Sequence, residues 1–394
     1  MSNRQYYGIM QASIKEDGDT GAFAEADALH GLQSAGLTTN FSLEQVFQLG
    51  QLAIYENIEG LPDIEITMTK VLDGYPLIFH QATKGATTTG PTLANRSVSQ
   101  CIFGMALFED TADAAEGTPG SRVECSGSYI SSSSFTIPID GSMEESATLV
   151  SNNKVWLNTP TFGQTLNPNL STVAHEGRFS ATSDDAPIGV GGVQRRENLD
   201  FSYTAGVLDD NGMVADADCT ILPPDVFGIS DSGTNEQTNG ADFDAHVQNI
   251  TVSVDLGRTE LFELGRRGVY HRYVEFPVEV TCDIEILSIS GDMVSAHEDG
   301  IFTTGTDPCD DQGNLLDRTI RIATCEGTRI YLGIKNKLSS TSMTGGDAGG
   351  GNQTVTYSYS TFNDYTVMHS GDPHPSGVDG SWWAARSTYL IDAT

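Results

Sequence analysis

The sequence predicts a mainly β protein of two tandem β-sandwich or barrel domains with minor helix, the second related to the first by internal duplication. Three observations lead there: a composition rich in strand and turn formers, one motif that occurs twice, and strands in which apolar and acidic residues alternate. The 394 residues include 42 Gly and only 19% charged residues. Stretches of Ala, Leu, Glu and Lys at helical spacing are few, so helix is expected to be a minority. The repeated motif reads "QLGQLAIYENIEGLPDIEITMTKVLDG" from Gln48 to Gly74 and "VDLGRTELFELGRRGVYHRYVEFPVEVTCDIEILSISGD" from Val254 to Asp292. Leu49-Gly50 falls on Leu256-Gly257, Ile54-Tyr55-Glu56 on Leu261-Phe262-Glu263, and Pro62 on Pro277 with a one-residue slip beyond it. The offset of 207 residues is close to half the chain, and a chain of this length can bury two ordinary cores. The expected layout is an N-terminal segment over 1–39, a first domain over 40–160, a connecting segment over 161–197 and a second domain over 198–394.

Taken in order, "FAEADALHGLQSAG" predicts a short helix closed by Gly36. "PDIEITMTKVL" predicts a strand, with Ile64, Ile66 and Met68 on one face and Asp63, Glu65, Thr67 and Thr69 on the other. "GYPLIFHQAT" reads as a further strand with Pro at its edge, and "SVSQCIFGMALFED" as a buried strand. "RVECSGSYISSSSFTIPIDGSMEESATLVSNNKVW" reads as two short strands, a Ser-rich turn and another strand before the turn at "SNN". Residues 158–197, rich in Gly, Pro, Asn and Ser, suit a connection between the halves. In the second half "PVEVTCDIEILSI" sets Val278, Val280, Cys282, Ile284 and Ile286 on one face, opposite Glu279, Thr281, Asp283 and Glu285. "TIRIATCEGTRIYLGIKNKL", the Gly-rich "SSTSMTGGDAGGGNQ" and "TVTYSYSTFNDYTVM" then suggest a hairpin with a long tip.

Fifty-three acids oppose 20 bases, for a net charge of −33. Residues 1–197 carry −13 and residues 198–394 carry −20, so the charge is not an appended tail. Such a surface repels nucleic-acid phosphate. It serves solubility, adaptation to salt water, or a surface past which DNA slides without sticking. No run of eighteen apolar residues occurs and the N-terminus lacks an apolar h-region, so a soluble protein made in a cytoplasm is expected. The six cysteines have no CxxC spacing, which argues against zinc and for reduced thiols.

No catalytic constellation emerges. The acidic stretches Leu208–Asp218 and Asp307–Asn314 resemble calcium loops without fitting the EF-hand template. Nothing singles out a carboxylate pair for glycoside hydrolysis. Trp382-Trp383 suits either a sugar platform or an anchor for the C-terminal segment. His80, His271, His297 and His369 are scattered, "GGDAGGG" lacks the Lys-Ser/Thr of a phosphate cradle, and no GxSxG, P-loop or HExxH occurs. The expectation is a non-enzyme with no catalytic residue, cofactor or metal. One basic knot stands out: Arg258, Arg266, Arg267 and Arg272, four of the 20 bases within fifteen positions. It reads as a solvated loop or, preferred here, as a subunit-interface patch that docks on acidic neighbours.

"LFELGRRGVYHRYVEFPVEVTCDIEILSISGD" and "QLGQLAIYENIEGLPDIEITMTKVLDGYPLIFHQAT" resemble motifs of tail tube and related virion proteins of tailed bacteriophages. The resemblance covers roughly 75 residues directly. It implies tube-like β-sandwich or barrel domains that join into rings, rings that stack into a DNA conduit, and a place in the virion tail after synthesis in the host cytoplasm. A duplicated chain implies trimeric rings of pseudo-sixfold symmetry, with hexamers the alternative. The implied partners are further copies of the chain, other tail proteins, and DNA that passes without specific binding; no membrane is involved. In such a tube Asp63, Glu65, Glu279, Asp283 and Glu285 are expected to face the lumen. Two other readings stand beside it: a low-copy ring protein of the baseplate, distal tail or head completion, and an extracellular carbohydrate-binding or adhesin protein.

Overall fold

The computed structural model describes residues 10–18, 23, 27–73, 76–83, 92–108, 120–157, 193–196, 199–200, 246–265, 269–287, 298–299, 314–315, 317, 320–324, 328–333, 335–345 and 351–368. The fold is mainly β. The first half contributes β1 (Met10–Glu16), β2 (Leu32–Phe47), β3 (Ile54–Val71), β4 (Cys101–Leu107), β5 (Ser121–Pro138), β6 (Glu144–Ser151) and β7 (Asn153–Leu157), with two one-turn helices, α1 (Ile78–Ala82) and α2 (Leu93–Ser97). Beyond it come β8 (Leu199–Asp200), β9 (His246–Asp255), β10 (Thr259–Leu261), β11 (His271–Tyr273), β12 (Glu279–Leu287), β13 (Glu298–Asp299) and β14 (Asn314–Leu315). The chain continues through β15 (Arg321–Thr324), β16 (Arg329–Tyr331), β17 (Lys337–Thr344), β18 (Thr354–Phe362) and β19 (Thr366–Met368).

A single antiparallel path runs through both halves in the order β2-β3-β6-β5-β9-β12-β18-β17. Each half supplies four consecutive strands of it, and the order within each is the same. An early pair (β2–β3, β9–β12) joins a later pair (β5–β6, β17–β18) through the second strand of each. The irregularities match too. Gln33 is the extra residue of β2 opposite β3, and Gln248 that of β9 opposite β12. Ser131 is the extra residue of β5 opposite β6, and Ser339 that of β17 opposite β18. A β-bulge bends its strand and fixes register locally, so its position is a sensitive marker of geometry.

The inward face alternates with the polar one as strand geometry requires. Ile64, Ile66, Met68, Phe135, Leu149, Val252, Cys282, Ile284 and Tyr357 belong to one buried cluster fed by both halves. β4 and β7 pair along the first part of β5, β1 pairs with β4, and a smaller sheet runs β19-β16-β15-β8.

Four local expectations are corrected. Residues 32–36, expected to end a helix, begin β2, and the bulge at Gln33 explains the misreading: it leaves Leu32 and Ala35 partly buried three positions apart, a spacing that imitates a helical face. "PLIFHQAT", expected as a strand, holds α1, because the buried Glu145 carboxylate accepts from the Ile78 and Phe79 amides at 2.7 and 2.8 Å and satisfies the helix start. The Ser-rich stretch is not a turn but the middle of the 18-residue β5. Finally, Leu256 is 2% exposed whereas Leu49 is 101% exposed, so the two are not counterparts. The hairpin tip that matches Leu49-Gly50 is Leu264-Gly265, where both glycines take positive φ, 90° and 85°. "FQLGQLAIY" therefore matches "FELGRRGVY" at an offset of 215. The flanking pairs agree: Glu44↔Ile58, Gln45↔Asn57 and Val46↔Glu56 in one arm, Thr259↔Tyr273, Glu260↔Arg272 and Leu261↔His271 in the other.

Arg266, Arg267, Trp382, Trp383, His297, His369 and the acidic stretches 208–218 and 307–313 lie outside the described residues, as does most of the expected connecting segment.

Candidate functional site

The β5–β9 pairing is where the two halves meet edge to edge. Its register runs Ser132↔Asp255, Ser133↔Val254, Ser134↔Ser253, Phe135↔Val252, Thr136↔Thr251 and Ile137↔Ile250. Ser132 and Ser134 on one face and Ser133, Phe135 and Ile137 on the other let the strands close over the core, and Phe135 and Val252 are fully buried. The Ser133 hydroxyl pairs with the Tyr365 hydroxyl at 3.0 Å, so the second half also reaches beneath the first. Burial pushes the Tyr365 phenol well above its ordinary range.

Past the end of β9, the β10–β11 arm lies on the first half. The Leu256 amide donates to the Ser131 carbonyl at 2.8 Å. Arg258 Nε donates to the Ile130 carbonyl at 2.8 Å, and its guanidinium sits 4.9 Å from the centre of the Tyr129 ring. Burial brings the Arg258 pKa down to about 10. Arg272 is 4% exposed, ion-pairs with Glu260 at 2.6 Å and Asp63 at 3.4 Å, and donates to Asn152 Oδ1 at 3.0 Å. His271 Nδ1 meets the Tyr129 hydroxyl at 2.9 Å. Arg258 and Arg272 thus bridge the two halves of the chain itself, and Arg272 has little surface left to offer a neighbouring subunit.

At the two ends of the path lie β2 and β17, each paired on one side only among the described residues. Their residues match those of the filled seam. "LSSTSM" (Leu338–Met343) corresponds to "ISSSSF" (Ile130–Phe135) through the shared bulge, and β2 corresponds to β9 through the other. Exposure differs sharply: Met343 is 46% exposed where Phe135 is buried, and Phe41 is 66% exposed where Leu256 is buried. The β2–β3 arm also exposes Leu43, Phe47, Leu49, Leu52, Tyr55 and Ile58. Such a concentration of exposed apolar side chains on one arm is what an interaction site presents. The serine-rich repeat was visible in the sequence but concealed by the turn-forming reputation of serine.

The predicted acids occupy the polar face of the sheet. Asp63 and Glu279 are exposed, Glu65, Asp283 and Glu285 partly so, while Ile64, Ile66, Val280 and Ile284 are buried beneath them. Cross-strand neighbours of the inner three are mostly polar: Thr38 and Val150 beside Glu65, Thr251 and Ser358 beside Asp283, Asn249 and Thr356 beside Glu285, whereas Glu279 is paired with Phe362. β2, β3, β6, β9, β12 and β18 together hold one Lys or Arg, Lys70, which is buried. The result is a wide hydroxyl-and-carboxylate surface with no fixed cation on those strands. Among the described residues no His, Cys, Asp and Glu cluster could hold a metal, and no helix is long and apolar enough to cross a membrane.

No family profile and no curated protein sequence matches the chain. Among solved structures, the sheath–tube complex of an extracellular contractile injection system (PVC) in its extended state aligns with 40% of this chain and 95% of its own, at 11% identity and a TM-score of 0.28. The terminating cap of the anti-feeding prophage tube aligns with 40% of this chain and 94% of its own, at 13% identity and TM-score 0.27. An Hcp protein aligns with 39% of this chain and 93% of its own, at 12% identity and TM-score 0.24.

Proposed function

We propose that the chain is a structural ring subunit of a phage-type tail tube, a virion conduit through which DNA leaves. The observation that carries this reading is the strand path: the same four-strand order occurs twice, head to tail, leaving unlike ends at β2 and β17. An interface between unlike edges is heterologous, and it generates either a closed ring or an open filament. Duplication of an ancestral single-domain subunit accounts for the matched order, bulges and arms, and places the boundary between units at the β5–β9 seam. Three two-unit chains then complete a ring of six units, and rings stack into the tube.

The acidic face is assigned to the lumen. Strand alternation obliges Asp63, Glu65, Glu279, Asp283 and Glu285 to share the face opposite the core, and a wet channel keeps them solvated where burial would cost several kcal/mol each. Passing DNA meets repulsion within about 8 Å at physiological salt, and the one exposed cation paired onto that face among the described strands, Lys337, is itself ion-paired with Asp317. No enzymatic step is assigned. Electron microscopy of the purified, concentrated protein tests the reading: rings or tubes of threefold or pseudo-sixfold symmetry built from intact chains are expected. A monodisperse monomer, or rings of six whole chains, would overturn the proposed architecture.

A further inference from the structure

Resting on that ring reading, we infer that the seam inside each chain is the template for the seam between chains, residue by residue. The two shared bulges fix the correspondence without adjustable parameters. β9 matches β2 at an offset of 215 through Gln248 and Gln33, and β17 matches β5 at 208 through Ser339 and Ser131. Carrying the β5–β9 register across gives Thr341 opposite Thr39 of the next copy, Ser342 opposite Thr38, Met343 opposite Leu37 and Thr344 opposite Gly36. The occupant of the β17 edge is therefore β2 of a second copy.

The chemistry on both edges suits this partner. Met343 and the half-buried Leu37 stand where Phe135 and Val252 lie fully buried side by side, so closing the seam completes a core that the single chain leaves open. Hydroxyls face each other on the opposite side, Ser342 against Thr38, as Ser134 faces Ser253 inside the chain. The Phe41 amide takes the role of the Leu256 amide and donates to the Ser339 carbonyl of the next copy, as Leu256 donates to Ser131.

The arm that follows is where the two seams part company. In the β2–β3 arm Leu43 stands at the place of Arg258, and Asn57 at the place of Arg272. On the receiving surface Phe362, 55% exposed, stands at the place of Asn152, and Glu279 at the place of Asp63. The internal arm is fastened by guanidinium contacts; the external one offers Phe41 and Leu43 to a surface bearing Phe362. Contacts between chains are consequently apolar where those within a chain are ionic.

Site-directed cross-linking of the full chain tests the register. Leu37→Cys with Met343→Cys, oxidised under assembling conditions, should give covalent multimers up to a closed trimer, well above the background of the parent chain and of each single variant. The shifted pair Leu37→Cys with Thr341→Cys should stay at background, because a two-residue displacement separates the sulfurs beyond disulfide reach. Electron micrographs of the same samples separate the two levels of the argument. Rings that form without cross-linking at Leu37 and Met343, or that cross-link through the shifted pair, overturn the seam and leave the ring standing. Absence of any assembly in the parent chain overturns both.

Discussion

Phe135 and Met343 occupy matching places beside matching bulges, yet the first is fully buried and the second is 46% exposed. The difference lies in the neighbour, not in the residue's own strand. β9 covers β5, while nothing among the described residues covers β17. Leu256 and Phe41 repeat the contrast at the start of the two arms. Exposed apolar side chains at an edge with a filled counterpart elsewhere in the same chain mark a surface built for a copy of that counterpart. This also meets the usual hazard of an open edge strand, which is templated pairing with the wrong partner.

The largest test of the comparison is truncation at the two matching sites. Phe135→Ala should destabilise the chain by about 3–5 kcal/mol, as large-to-small changes in a filled core do. Met343→Ala should change the dissociated chain by no more than about 0.5 kcal/mol and act instead on assembly. Urea unfolding of dilute protein reads the first effect and sedimentation of concentrated protein the second. Equal stability losses would mean that β17 is already covered.

A second test asks whether the cores beneath the two seams are alike. Burial pushes the thiols of Cys101 and Cys282 upward and that of Cys125 from 9.0 to about 11, and it pushes the Tyr365 phenol upward as well. A group whose folded pKa is raised binds its proton more tightly in the folded state. The stability it contributes is complete below the unfolded pKa and is lost as pH rises through the folded one. Unfolding free energy should therefore be level up to about pH 9 and then fall towards pH 11 by roughly 1.4 kcal/mol per pH unit for each group still held neutral in the folded chain. Replacing Cys125 from the first half or Cys282 from the second with Ala should each flatten the fall. A curve that stays level to pH 11 would show that these groups are not held neutral by the fold.

Smaller effects should distinguish the ionic arm from the apolar one. Arg272→Ala strands Glu260 and Asn152, but Asp63 is 54% and Glu260 31% exposed, so solvent absorbs part of the loss and about 1–2 kcal/mol is expected. Asn57→Ala, at the matching place, should be near neutral in the dissociated chain. Raising salt to 1 M, where the screening length is about 3 Å, should not raise the concentration needed for assembly, since it also screens repulsion between chains of net charge −33. A steep loss of assembly with salt would place ion pairs between chains after all.

What the sequence disclosed and what it hid follow from the range of the interactions involved. Strands with a clean two-residue period, such as Asp63–Thr69 and Val278–Ile286, were legible with the correct face inward, because that pattern is local. The start of β2 was not, since one bulged residue converts a two-residue period into an imitation of a helical one. α1 was hidden because its first amides are satisfied by Glu145, 67 and 66 positions away. The arginine knot was visible as a cluster, but its partners were not: Arg272 meets Asn152 and Asp63 across 120 and 209 positions. A recurring motif was legible while the pairing of its two occurrences was not. A Leu-Gly pair recurs at Leu256-Gly257 by coincidence, and only exposure and pairing separate it from Leu264-Gly265.

The smallest effect on stability, and the one closest to function, concerns the acidic face shared by both halves. Asp283 and Glu285 lie on β12 between hydroxyl- and amide-bearing neighbours, and Glu65 lies beside Thr38 on β3. Glu65→Lys, Asp283→Lys and Glu285→Lys together should alter unfolding by only about 0.5 kcal/mol per site, because each side chain remains on a solvated face. If that face lines a channel, the same changes place cations along it in every unit of the ring. Affinity for short duplex DNA should then appear in assembled tubes carrying the reversed charges and fall between 50 and 200 mM salt, with log K against log[salt] sloping by about −0.9 per phosphate engaged. Parent tubes should show no such binding, and, on the proposed conduit reading, particles carrying the reversed charges should release DNA more slowly. Normal release from properly assembled particles would refute the proposed repulsion of DNA by the acidic face. Binding that is equally strong with capped, end-blocked tubes would put the acidic face on the outside of the particle.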